Sequence, residues 1–155
     1  MLIYPVDLAP DDNDTVLVTF PDVPEGVTYG ETEKEALFHA IDALEVIFMA
    51  YMDDKRPIPM PSPAKGRHTI ALSALTTAKV LLYNALLKSR MTKSNLARLM
   101  GCHPPQIERL LDLGHESRMD LIEKALAALG LQLLVDVKKA APLFKVGSHV
   151  VRLSQ

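Results

Sequence analysis

Between Met91 and Arg118 the chain gathers side chains able to grip a nucleic acid, among them Lys93, Ser94, His103, Gln106, Arg109, His115 and Arg118. Lysine, histidine and arginine neutralise phosphates, and serine adds a donor. An arginine can pair bidentately with the edge of guanine, and a glutamine with that of adenine. A second set of residues suggests different chemistry. Asp7, Asp11, Asp12, Asp14 and Asp22 are the nearest thing to a carboxylate cluster that could hold two metal ions for phosphodiester hydrolysis. Most of them fall in turn sequences, where acids are ordinarily solvated, and the apolar segment RHTIAL (residues 67–72) carries no acid. No serine or cysteine has the local signature of a nucleophile with its histidine. The chain is therefore expected not to be an enzyme and to need no cofactor or metal.

The elements that must carry the first set are short helices. Thr92 stands where a cap is needed, ahead of apolar positions Leu96, Ala97 and Met100, and Gly101 follows at once. A glycine there can adopt the left-handed conformation that ends a helix, and Ala97 is small enough for a close crossing. His103 is a weak cap, but Pro104 and Pro105 lack N–H donors that a helix start would leave unpaired anyway. Ile107, Leu110 and Leu111 then close the core from the second helix, with Cys102 as a small apolar plug between them. A longer helix precedes this pair, capped by Ser73 and running through AKVLLYNALLKS. Another follows over residues 117–129, with Ser117 and Asp120 as its cap pattern. Residues 131–137 (LQLLVDV) alternate apolar positions and read as a late strand.

The first part of the chain has a different character. Residues 2–8 are apolar-rich, Asp11 to Asp14 form a polar turn, and Val16, Val18 and Phe20 recur at the period of a sheet, with a third strand expected over residues 27–29. Thr32 and Glu35 match a capping box. Leu37, Ile41, Leu44, Phe48 and Tyr51 then mark one broad helical face, with Lys34, Glu35, Asp42 and Glu45 on the solvated side. Prolines at 57, 59, 61 and 63 make a stiff, extended connector. RHTIAL is expected to return parallel to the earlier strands, which completes a β-β-β-α-β unit.

The overall charge of −2 conceals a division: residues 1–65 hold four Lys/Arg against thirteen Asp/Glu, net −9, and residues 66–155 hold thirteen against six, net +7. The acidic half suits a basic partner and the basic half suits phosphates; the two halves could also attract each other within the fold. A single cysteine excludes an internal disulfide and a CxxC metal site, in keeping with a reducing compartment. With no long apolar run and no signal-peptide pattern, the cytoplasm is the expected location.

The short helix, glycine turn and short helix resemble the phage-repressor type of helix-turn-helix. That resemblance implies that the second helix enters the major groove. It makes Gln106 and Arg109 the base-reading candidates, with Lys93, Ser94 and His103 at phosphate-touching positions and His115 and Arg118 as further phosphate contacts. The chain departs from the pattern at Pro104 and Pro105. These can offer only apolar contact, for instance to a thymine methyl, so DNA shape gains weight in recognition.

With both halves considered, the chain resembles the HicB antitoxin family, in particular members ending in a helix-turn-helix. The segment YPVDLAPDDNDTVLVTFPDVPEGVTYGETEKEAL (residues 4–37), the proline-rich IPMPSP (residues 58–63) and AKVLLYNALLKSRMTKSNLARLMG (residues 78–101) carry the likeness, which runs from about residue 2 to residue 137. It implies an α+β chain with three parts. Residues 1–72 would be a toxin-binding domain like a truncated ribonuclease H fold, and residues 73–137 an all-α helix-turn-helix domain with a short terminal strand; residues 138–155 form an unassigned tail. It further implies a HicA-like mRNA-cleaving toxin and operator DNA as partners, and a homodimer or higher homo-oligomer that represses its own operon. A rival reading is a free-standing repressor whose first domain senses a small molecule. A short basic protein encoded next door favours the antitoxin, and isolation in the genome favours the sensor.

Overall fold

A computed structural model describes residues 1–137 and the backbones of Leu143–Val146 and His149–Arg152. The element order is β1 (Ile3–Pro10), β2 (Val16–Thr19), β3 (Val27–Gly30), α1 (Glu33–Asp53), β4 (His68–Ala71), α2 (Ala74–Ser89), α3 (Lys93–Met100), α4 (Pro104–Leu111), α5 (Met119–Ala128), β5 (Leu143–Val146) and β6 (His149–Arg152). The expected β-β-β-α-β order is present. Residues group into two compact units, one holding Met1–Phe48 with Pro59–Leu72, the other Met49–Ile58 with Ser73–Val137. The division falls inside α1.

In the first unit the strands lie in the order β3-β2-β1-β4, and every neighbouring pair is antiparallel. The expected parallel return of residues 67–72 is therefore corrected: β4 pairs antiparallel with β1, Ile3 opposite Ala71 and Val6 opposite His68. The reason is the length of the connector. A strand entered straight from α1 would run parallel to β3, but residues 54–67 intervene. Fourteen extended residues reach up to ~46 Å, enough to pass along the sheet once more before turning in. Hydrogen bonds fasten the connector as it goes: Tyr4 Oη donates to the Pro59 carbonyl at 2.7 Å and Ser62 N–H to Asp22 Oδ2 at 2.9 Å. Burial, with the Asp22 charge second, pushes the Tyr4 hydroxyl well above its ordinary pKa.

Strand alternation places Tyr4, Val6, Val18 and Ile70 in the core with the α1 stripe of Leu37, Ile41, Leu44 and Phe48; the Tyr4 and Phe48 rings sit 5.4 Å apart. The capping box at α1 forms with a one-residue shift: Thr32 Oγ1 accepts from Glu35 N–H, and Glu35 Oε2 accepts from the Glu31 N–H rather than that of Thr32. At Gly30, the last residue of β3, a Cβ would lie 2.3 Å from the Ala36 nitrogen. Only a glycine lets the strand meet the helix start this closely.

Three of the five acids singled out as possible metal ligands are engaged otherwise. Asp7 pairs with Arg67 at 2.9 Å, Asp11 accepts from Asp12 N–H and Thr15 Oγ1 in the β1–β2 turn, and Asp22 holds the connector. Among the described residues no three His, Cys, Asp or Glu side chains converge as a metal site, and no helix is long and apolar enough to cross a membrane.

In the second unit α2 to α5 occupy the expected segments. Two details are corrected. Helix α5 starts at Met119 behind Arg118, not at Ser117; the Ser117 hydroxyl donates instead to the Arg109 carbonyl at 3.2 Å. Residues 131–137 form no strand, because no strand of the described residues lies alongside to supply ladder hydrogen bonds. Within the tail, β5 and β6 pair antiparallel, Val146 opposite His149.

The close approach at Gly30 yields a test. Gly30→Ala should destabilise the full chain by about 1–3 kcal/mol, as overpacking against backbone does, read as a lower urea midpoint with an unchanged slope.

Candidate nucleic-acid interface

The candidate residues stand on three helix starts, on the last turn of α4 and in the turn between α4 and α5. Thr92 caps α3, its Oγ1 accepting from Asn95 N–H at 3.1 Å, so Lys93 and Ser94 occupy the exposed first turn. Leu96 and Ala97 are buried on the opposite side. Gly101 ends α3 at φ +66° with nothing within 4 Å of where a Cβ would project. It is required by its backbone conformation and not by crowding. Cys102, expected as a core plug, is half-buried.

At the start of α4, His103 is the cap residue and its backbone N–H donates to Gln106 Oε1 at 3.0 Å. Gln106 thus serves its own helix as well as facing solvent. Ile107, Leu110 and Leu111 turn inward, which leaves Gln106 and Arg109 exposed one turn apart. The Arg109 guanidinium has no ion-pair partner among the described residues. Lys93 Nζ lies 3.9 Å from Glu108 Oε1, which brings the first turn of α3 alongside α4. Arg118 forms a two-point contact with Asp120, 3.0 and 2.8 Å, so part of its donor capacity is already used. His115 Nδ1 is 3.4 Å from Ser117 Oγ. Lys93, Ser94, His103, Gln106 and Arg109 therefore cluster on α3 and α4, and His115 and Arg118 flank them in the turn before α5.

Sequence reasoning missed the residue that fixes this turn. Lys79 in α2 is 0% exposed, and its Nζ donates to the carbonyls of Asp112 and His115. A buried ammonium must find acceptors, and the C-terminal end of α4 provides them where the helix dipole is negative. The signal was available: Lys79 lies three residues beyond buried Thr76 and four before buried Tyr83, on the inward stripe of α2. Asp112 Oδ1 accepts from Gly114 N–H at 2.9 Å and tightens the same turn. Tyr83 holds the segment after α1 by donating to the Arg56 carbonyl at 2.9 Å. Burial first and the Asp53 charge second raise its hydroxyl pKa.

Comparison with known proteins adds the family. Residues 3–81 match the model described as HicB_like antitoxin of bacterial toxin-antitoxin system. The chain belongs to the HicB-like antitoxin family. It is 44% identical over 130 residues to Antitoxin HicB 2 of Photorhabdus laumondii subsp. laumondii, covering 84% of this chain and 92% of that protein. Antitoxin HicB of Escherichia coli strain K12 is 41% identical over 131 residues, 84% of this chain and 95% of its own length. Antitoxin HicB of Pseudomonas fluorescens is 40% identical over 128 residues, 81% and 88%. These alignments are longer than the 3–81 match, so the likeness to HicB antitoxins extends past the first unit into the helices that carry the candidate residues.

Two outcomes check the geometry. Lys79→Met keeps the stem and removes the donor, leaving two carbonyls short of a partner; it should lower stability by about 1–3 kcal/mol, with faster amide exchange in residues 112–117. Gly101→Ala forces a side chain into a positive-φ position and should cost about 1 kcal/mol, measured by thermal unfolding.

Proposed function

We propose that this chain neutralises a small basic ribonuclease toxin of the HicA type through its N-terminal unit and represses the operon encoding both proteins through α3 and α4. On this reading the first unit is an inhibitor of truncated ribonuclease H type, and α3, Gly101 and α4 are a helix-turn-helix with α4 in the major groove. The observation that carries the DNA half is the exposed pair Gln106 and Arg109 on α4. Both stand one turn apart, above an inward face of Ile107, Leu110 and Leu111. Lys93 and Ser94 at the start of α3, with His103, touch phosphate, where helix N-terminal N–H groups add to the attraction. His115 and Arg118 extend the phosphate contacts. Family membership supports the toxin half, together with the thirteen acids against four bases in residues 1–65. The engaged carboxylates Asp7, Asp11 and Asp22 fit an inhibitor rather than a nuclease. The protein acts in the cytoplasm, without a cofactor, as a homodimer or higher homo-oligomer that offers two copies of α4 to a palindromic operator.

Arg109→Ala should weaken operator binding by about 1–3 kcal/mol and relax the base preference at one position of each half-site. Lys93→Ala should weaken binding to all sequences alike and lower the salt slope by about one. Fluorescence anisotropy on operator and scrambled duplexes across a salt titration separates the two effects. Promoter occupancy unchanged in the Gln106→Ala, Arg109→Ala double variant overturns the DNA half. Failure of the full chain to restore growth to cells expressing the small basic protein encoded beside it overturns the toxin half.

A further inference from the structure

Two helices of the second unit end on the same groove, and each places a cation there in a left-handed conformation. Just past the end of α1, Lys55 takes φ +55°; its N–H donates to the Met52 carbonyl at 3.1 Å, and Arg56 N–H reaches the Tyr51 carbonyl at 2.8 Å. At the end of α2, Arg90 takes φ +56° and its N–H donates to the Leu87 carbonyl. Glycine fills such positions without strain and is the usual residue there. A long cation strains the backbone instead. The helix dipole does not account for Arg90, because Lys88 already stands in the last turn of α2 to complement it. Neither Lys55 nor Arg90 has an ion-pair partner among the described residues. Both line a groove of about 630 Å³, with Lys93 at the start of α3 and one acid, Asp53. Met52, Leu86, Leu87, Met91 and Leu111 supply its apolar wall. The volume is that of a small-molecule site, and every lining residue belongs to the second unit. Tyr83 keeps one wall in place through its bond to the Arg56 carbonyl.

We infer that this groove binds a small amphipathic carboxylate, its head between Lys55, Arg90 and Lys93 and its apolar body along Met52, Leu87, Met91 and Leu111. Three cations against one acid select an anion. The apolar wall selects an anion with a body, since a bare ion would leave that wall uncovered and forgo the gain from burying it. Two methionines adapt to an unbranched chain better than stiffer side chains would. Orientation follows from the far end. A smaller depression of about 220 Å³ shares Met52, Lys93 and Leu111 with the groove and is edged by Glu108 and Asp112. Those acids repel a carboxylate, so the head rests at the two helix ends and the tail points toward Leu111. Occupation reaches DNA through Lys93, which lines the groove and, on the proposed reading, also holds a phosphate. An ammonium drawn to the ligand is lost to the duplex. The inference deepens the repressor reading and rests on it for this effect on DNA, whereas the site itself requires no DNA.

Decanoate is the probe, followed through the methionine methyl signals of the full chain by NMR. Met52 and Met91 should shift saturably while Met60 and Met119 stay in place. Decanol and decyltrimethylammonium carry the chain without the negative head, and acetate carries the head without the chain; each should bind about tenfold or more weakly than decanoate. Lys55→Gly with Arg90→Gly removes both cations at positions glycine occupies without strain. That double variant should keep the wild-type circular dichroism and lose about tenfold or more in decanoate affinity. With sodium acetate as the ionic-strength control, saturating decanoate should weaken binding to operator and scrambled duplexes alike and lower the salt slope by about one. It should do neither in Lys93→Ala. Unmoved Met52 and Met91 signals, decanol bound as tightly as decanoate, or a double variant of undiminished affinity overturns the site. Operator affinity unchanged at saturation, in a chain that does hold the operator, overturns the link through Lys93. A chain that binds decanoate as described but ignores operator DNA upholds the site and overturns the repressor reading instead.

Discussion

One buried cation governs the second unit. The Lys79 ammonium has no solvent, and a charge in that position is tolerated only where strong acceptors surround it. The acceptors are the carbonyls of Asp112, at the end of α4 where the backbone dipoles sum to a negative pole, and of His115 in the turn that follows. Packing of Ile107, Leu110 and Leu111 decides which face of α4 turns inward. The ammonium ties down the turn where the chain leaves that helix. Ser117 and Asp112 fasten the same turn by hydrogen bonds to the Arg109 carbonyl and the Gly114 N–H. The exposed side chains of α4 therefore stand on a base fixed from both its flank and its end, the kind of support a reading surface needs if its donors are to meet base edges to within a fraction of an ångström.

The first unit solves a different problem with backbone stiffness. An acidic surface repels itself, and several of its carboxylates are spent on holding the chain together: Asp7 on Arg67, Asp11 on the β1–β2 turn, Asp22 on the connector. The prolines at 57, 59, 61 and 63 restrict the connector before it folds, so its passage along the sheet loses less conformational entropy than a flexible loop would. β4 can therefore run antiparallel to β1.

Much of this was legible in the sequence where one local rule acted alone. Caps at Ser73 and Thr92, the glycine at 101 and the apolar stripe of α1 each name their element because the backbone group or buried face they satisfy lies within a turn or two. The errors share one cause, dependence on something distant. The direction of β4 is set by how far fourteen connector residues reach, and residue types do not encode reach. Residues 131–137 show the period of a strand, but a strand exists only with a neighbour, and the described residues supply none alongside. Ser117 has the composition of a cap and is claimed by a carbonyl eight positions earlier. Lys79 sits on an inward stripe, but a lysine on a helix ordinarily faces solvent, so residue type alone does not mark it as buried. Of the candidate interface, sequence reasoning located the exposed donors but not the hydrogen bonds that occupy them.

Gln106 shows what such occupation means. Its Oε1 accepts the His103 N–H, and no other side chain replaces it there, since Pro104 and Pro105 bring no acceptor on a side chain. Recognition of adenine through both amide atoms requires Oε1 to exchange a bond within the protein for one to the base. The gain at that base pair is then a difference between two similar hydrogen bonds, whereas Arg109 gains outright. On the proposed reading the operator is informative chiefly where Arg109 falls and permissive where Gln106 falls, and changes at the permissive position would drift through related operators without loss of repression.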